Sequence, residues 1–215
     1  MPEGGNKQIW VNFCAGLRLE NPQIVWDDLI KRYSEPHRHY HTWQHVLDGL
    51  AELEEVRFLA QHPDEIRLAY YFHDAVYDPK DKDSANVDRS ADLAVDVMSK
   101  AKLPKDVIAR VKDLILATKH DVPPVGIDAE LITDIDLAIL GKSEKEFDEY
   151  EAKIRLEYAF VEEKAFKEGR RKVLEKFLAR PSIFSTNYFF KKYESQARAN
   201  LKRSILRLSL SEVRE

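Results

Sequence analysis

The sequence predicts an all-α fold, and three observations carry that prediction. Apolar residues recur at spacings of three and four through most of the chain. Alternating strand patterns are hard to find, and only 7 glycines occur in 215 residues. The breaks fall at turn and helix-start signals: Asn21-Pro22, His62-Pro63, Asp78-Pro79, Leu103-Pro104, 122–126, Gly141 and Arg180-Pro181. Together they read as one helical bundle of about ten helices joined by short loops.

Taken in order, residues 1–8 read as a tail and 9–17 as the first periodic segment. Asn21 caps a second segment, 24–33, opened by Pro22. A third runs over 43–59. Leu68, Tyr71, Phe72 and Ala75 share one face of a fourth, which is expected to carry His73 and Asp74 within it. Segment 85–98 follows. Pro104 then stands at the first helical position before Val107, Ile108, Val111, Leu114 and Ile115. The last four segments are 131–140, 147–160, 166–178 and 186–208. Ser143 with Glu146 three residues on forms a capping box, and Ser185 or Thr186 caps the final helix. Residues 209–215 read as a second tail, so the core is expected over 22–208. Trp10, Trp26 and Trp43, and the cluster Phe184, Tyr188, Phe189, Phe190 and Tyr193, read as core at this spacing rather than as a nucleic-acid stacking surface.

Composition bounds the function class. With 44% hydrophobic and 33% charged residues and a net charge of −4, the chain falls in the soluble globular class. No apolar run approaches the roughly 18 residues of a membrane helix, and no basic segment leads an apolar one at the start, so a cytoplasmic protein without a membrane partner is expected. Cys14 stands alone, which excludes a disulfide framework and a cysteine-based zinc site. Residues 1–160 carry net −11 and 161–215 net +7. Glutamates remain interspersed in the basic part, so neutralisation across helix contacts is preferred to a nucleic-acid partner. Long helices with apolar surface permit a homodimer.

The chemistry concentrates in the histidines. Of seven, His37, His39, His41 and His45 fall within nine residues, while His73 precedes Asp74 and His120 precedes Asp121. His41 and His45, four apart, would share a helix face. His73 and Asp74 interrupt a strongly apolar stretch, where both are expensive unless paired or metal-bound. Thr133 to Gly141 again leads carboxylates, Asp134 and Asp136, into an apolar segment. Two imidazoles with two carboxylates make a nitrogen and oxygen donor set suited to one divalent ion such as Mn, Mg, Fe, Co, Ni or Zn. Buried His–Asp pairs serving structure alone are the competing reading.

His45, then His73-Asp74 after 28 residues, then Asp136 after 62 more, resembles the H…HD…D signature of the HD-domain superfamily of helical, metal-dependent phosphohydrolases. The likeness extends to a bacterial branch of that superfamily whose substrate is unassigned. It is carried by PHRHYHTWQH (36–45), FHDAVYD (72–78), ILATKH (115–120) and DIDLAILG (134–141), then EYAF (157–160), FKEGR (166–170), FLARPSIF (177–184) and ARANL (197–201). Those stretches span about 33 to 206. The resemblance implies that His45, His73, Asp74 and Asp136 bind the metal. Asp134 competes for the last role, since two helical positions differ by about 200° and cannot both face inward equally. It further implies hydrolysis of a phosphate ester or anhydride in a small, nucleotide-like molecule by attack of a metal-bound water, with Asp74 orienting or deprotonating that water. His120 stands where many HD proteins place a further histidine and is expected to be catalytic.

Arg38, His41, Tyr77 and Lys119 are the expected substrate contacts, each with a plainer alternative: surface arginine, core ring or solvated lysine. The chain departs from its relatives in this pattern at Tyr77, which stands where HDxxED proteins place a glutamate. That argues against the guanosine-tetraphosphate class. Val87 of Asn86-Val87 replaces another glutamate, leaving Asp88 as its nearest substitute. Only His120 intervenes between the HD pair and Asp136, which favours one metal over two. The rival readings are a di-iron oxygenase of HD type and a non-catalytic binding module stabilised by its metal.

Overall fold

A computed structural model describes residues 3–16, 21–81 and 85–210, with the side chains of 3–6 left undescribed. Among the described residues there are ten α-helices and no strands: α1 (Glu3–Gly16), α2 (Pro22–Tyr33), α3 (Trp43–Val56), α4 (Pro63–Phe72), α5 (Asn86–Lys100), α6 (Lys105–Ala117), α7 (Ile127–Leu137), α8 (Glu144–Glu157), α9 (Glu163–Leu178) and α10 (Asn187–Leu210). Short 3-10 turns at Arg57–Leu59 and Ala138–Gly141 extend α3 and α7. The fold is all-α.

One continuous cluster of buried side chains runs from Trp10 to Leu201. The helix pair α5 and α6 packs together, α4 lies on α6, and α3 touches both α4 and α7. The turn 138–141 seats α10, which also packs on α9. Each fully buried Leu, Ile or Phe contributes about 1.5–3 kcal/mol.

Several local expectations are corrected. The first helix starts at Glu3, so 3–8 is helical rather than a tail, and Trp10 and Cys14 are wholly buried, which carries the core below residue 22. The last helix includes residues 209 and 210, whereas 211–215 lie outside the described residues. Asn21 adopts a left-handed φ of 52° and its side chain makes no cap, its carbonyl instead accepting from Ile24 and Val25. Pro104 sits one position before its helix. The expected capping box at Ser143 and Glu146 is present, and Thr186 Oγ1 accepts from Phe189 N at the start of α10. The aromatic set near that end is core: Phe184, Phe189 and Tyr193 are buried, and Phe190 faces outward.

The most consequential difference concerns α4, which stops at Phe72, so His73 and Asp74 occupy the turn that follows it. Terminal helix carbonyls need partners, and here side chains supply them. His73 Nδ1 donates to Tyr70 O at 2.7 Å, the Tyr33 hydroxyl donates to Tyr71 O at 3.1 Å, and Ala75 N closes a turn on Phe72 O at 2.9 Å. The helix end thereby fixes the direction in which His73 presents its second nitrogen.

Candidate metal centre

Three elements bring donor atoms to one point. His45 comes from the first turn of α3, His73 and Asp74 from the turn after α4, and Asp136 from the last turn of α7. His45 Nε2 lies 3.1 Å from His73 Nε2 and 3.1 Å from Asp136 Oδ1. Asp74 Oδ2 is 3.1 Å from His73 Nε2 and 3.7 Å from His45 Nε2. His45 and His73 are buried, and the two carboxylates keep about 15% of their side-chain surface.

His45, His73 and Asp136 thus form a group that could hold a metal ion, their ligand atoms all within 4.8 Å of one another. The donor chemistry fits. With its Nδ1 hydrogen committed to Tyr70 O, His73 offers Nε2 inward, an outer hydrogen bond of the kind that fixes a metal-binding tautomer. Burial works against charging His73, but Asp74 and Asp136 outweigh it and lift its pKa well above the ordinary value. Burial likewise opposes ionised Asp74 and Asp136. His73 and His41 still hold Asp74 low, while His120, His45 and His73 hold Asp136 well below the carboxylate range. Shared protons therefore balance the carboxylates here, and a divalent ion would compete for the same place.

His120 stands just outside this group. It has a left-handed φ of 56°, and its Nε2 donates to Asp136 Oδ2 at 2.8 Å. Asp136 is therefore turned with one oxygen to His45 and the other to His120.

Asp134 does not compete. Its carboxylate accepts from Ser185 N at 2.7 Å, Thr186 N at 2.8 Å and Thr186 Oγ1 at 2.7 Å, anchoring the start of α10. Burial pushes Asp134 up to about 6 against those donors.

The expected substrate contacts fare unevenly. Arg38 is buried and its guanidinium is occupied: Nη1 donates to Asp74 O at 2.7 Å and His41 O at 3.1 Å, Nη2 to Ala75 O at 3.2 Å, and Nε to Glu35 at 3.0 Å. It holds the turn bearing Asp74, and four of its five N–H donors are taken, too few remaining for a two-pronged phosphate clamp. Lys119 is drawn to Asp88 Oδ1 on α5 at 2.6 Å. His41 does border the site, its ring centroid 5.9 Å from that of His45, although it precedes α3 instead of sharing its face. Tyr77 lies tilted against His41, ring centroids 4.4 Å apart, and its hydroxyl donates to Glu157 Oε2 at 2.8 Å.

Glu157, at the end of α8, is the residue that sequence reasoning missed. Its Oε1 accepts from three successive amides, His39, Tyr40 and His41, at 2.8, 2.7 and 2.9 Å, and its Oε2 accepts from His41 Nδ1 at 2.7 Å. Burial would raise its pKa, yet His41 and the loop amides hold it at about 2. In turn His41, though burial opposes its charge, is raised by Glu157, Asp74 and Asp136. The available signal was a glutamate continuing the buried face of Phe147 and Ile154.

A cavity of about 330 Å³ opens on His45 and Asp136. Tyr70, Gly49 and Ile135 lie beside them, Tyr40 and Tyr150 also line it, and its exposed members are Asp48, Ala51, Glu55, Glu146, Glu149 and Lys153. Glu52 also lines it, already met by Lys142, Lys192 and Tyr193.

No protein-family model matches the chain, and no curated protein or solved structure matches it either. What fold and site define is a helical protein carrying a His/Asp group that could hold a metal ion. No helix among the described residues is long and apolar enough to cross a membrane.

Proposed function

We propose that the chain is a metal-dependent phosphohydrolase of the HD type, cleaving a phosphate ester or anhydride of a small, nucleotide-like molecule. The supporting observation is the convergence of His45 Nε2, His73 Nε2, Asp74 Oδ2 and Asp136 Oδ1 beside a cavity. These four residues would hold the ion. A divalent ion bound there supplies a Lewis acid that draws charge from a phosphoryl oxygen and lowers the pKa of water.

The chain's own groups do the rest. Asp74, fixed through its carbonyl by Arg38, orients the attacking water. His120 holds Asp136 in place from its far oxygen. His41 keeps its Nδ1 proton against Glu157, and its raised pKa lets it carry a second proton at Nε2 for the leaving oxygen. The exposed carboxylates of Asp48, Glu146 and Glu149 at the cavity favour a substrate with a single phosphate over a long polyphosphate.

The test is metal content by inductively coupled plasma mass spectrometry. Wild type and Asp74→Ala are purified without chelator or metal-affinity tag, then screened for phosphate release. The reading expects about one divalent ion per chain, lost with turnover in the variant. A wild type that takes up no metal even after reconstitution, or a variant that keeps its turnover, refutes it. One observation favours a second reading: Asp136 meets His45 with one oxygen and His120 with the other, so His120 and the outer oxygen would be available to hold a second ion. Two irons per chain and oxygen-dependent turnover would select that di-iron oxygenase.

A further inference from the structure

Tyr70, on α4, is 1% exposed, and its ring stacks on His73 with centroids 4.3 Å apart. It lines the cavity beside His45 and Asp136. Its hydroxyl reaches His45 Nε2 at 3.5 Å, the outer limit of a hydrogen bond. A buried phenol left with so long a contact realises little of what a hydroxyl ordinarily gains. The opposite helix makes room for it. A Cβ on Gly49 would fall 2.1 Å from Cε1 and Cζ of the ring and 2.2 Å from the hydroxyl, so only a glycine on α3 admits this placement. The hydroxyl's acceptor among the described residues, His45 Nε2, is also crowded, since that nitrogen meets His73 Nε2 and Asp136 Oδ1 at 3.1 Å each. A cation held at the His/Asp group would take that lone pair. The hydroxyl must then find its acceptor in the cavity.

We propose that Tyr70 is a further catalytic residue, its hydroxyl donating a hydrogen bond to an oxyanion oxygen of a phosphate seated beside His45 and Asp136. The assignment rests on the metal-dependent reading above. It gives the site a neutral, buried donor aimed at phosphate oxygens, a role the sequence suggests for Arg38, whose guanidinium is instead engaged by three carbonyls and Glu35. No proton leaves Tyr70. The bond strengthens as charge develops on the oxygen it contacts.

The experiment titrates Mn²⁺, and then inorganic phosphate into the Mn²⁺-loaded protein, by calorimetry in wild type, Tyr70→Phe and Gly49→Ala. Tyr70→Phe removes one oxygen atom with one long contact, so its melting temperature should match wild type and its Mn²⁺ affinity should stay within about twofold. Its phosphate affinity should fall about tenfold, the scale of one hydrogen bond to a charged group. Gly49→Ala, which pushes the ring end away from α3, should lose phosphate affinity in the same direction. Unchanged phosphate affinity in Tyr70→Phe overturns the assignment. So does a parallel loss of Mn²⁺, because Tyr70 would then serve His45 and not the substrate. A wild type that binds no Mn²⁺ overturns the metal-dependent reading itself, and the role of Tyr70 with it.

Discussion

Two polar centres lie side by side in this molecule, and they are built on opposite rules. At Glu157, one carboxylate meets a surplus of donors: three backbone amides, an imidazole N–H and a phenol. At His45, His73, Asp74 and Asp136, two carboxylates and two imidazole nitrogens face one another across 3.1 to 3.7 Å, with the raised pKa of His73 making that ring the donor among them. The first is complete in itself and holds a loop. The second is a group that could hold a metal ion. Burial and charge alone do not separate a structural carboxylate from a functional one; the balance of donors to acceptors around it does.

The largest effect should come from breaking the acceptor-rich centre. Asp136→Ala removes the oxygens that meet His45, His73 and His120. Phosphate-release assays should show turnover down by about 10³ or more, some 4 kcal/mol, while elemental analysis shows the ion gone and circular dichroism an intact helical fold. Full metal content in that variant would place the binding group elsewhere.

Glu157→Gln probes the donor-rich centre, and here stability should fall first. Holding Glu157 at about 2 against an ordinary 4.5 corresponds to about 3 kcal/mol. Because its folded pKa is depressed, that contribution is present above about 4.5 and lost as pH falls through the folded value near 2. Urea denaturation should therefore show wild type ahead by about 3 kcal/mol at pH 7, with the gap closing between pH 4.5 and 2. A pH-independent gap would mean that shape, not charge, holds the loop.

Completing the acceptor-rich centre should stabilise it. At a free ion concentration 100 times Kd, binding contributes about 2.7 kcal/mol, or a rise in Tm of about 5–10 °C for a chain of this size, read by calorimetry with and without chelator. A Tm indifferent to every divalent ion would remove the distinction between the centres. The smallest effect sharpens it from outside. Lys119→Ala breaks a half-exposed pair with Asp88 and should cost less than about 0.5 kcal/mol, with KM changed less than about twofold.

Much of this could be read from the sequence because it is local. The three- and four-residue periodicity of segments such as 107–115 is a property of one helix facing one core, and α6 appears there with Val111, Leu114 and Ile115 buried. The uneven placing of His45, His73 and Asp74 marked a polar cluster in apolar surroundings, and those residues do converge. What stayed hidden depends on distance along the chain. Glu157 looks like one more acid on α8, beside Glu149 and Glu151, and its partners lie 80 to 118 residues away. Arg38 adjoins His41 in sequence, but its direction is set by the carbonyls of Asp74 and Ala75, 36 and 37 positions on. The end of α4 was masked because Ala75 continues the apolar spacing past the helix, while the carbonyls are taken by His73 and Tyr33.

The span of the Glu157 contact bears on how the chain acquires its site. All four donor residues are synthesised by position 136, yet the clasp on residues 39–41 waits for position 157. Closing so long a loop is slow relative to forming helices. An emerging chain therefore carries all four His/Asp residues before residues 39–41 are fastened, so under the proposed metal-dependent reading ion capture should follow the docking of α8 and report completion of the fold.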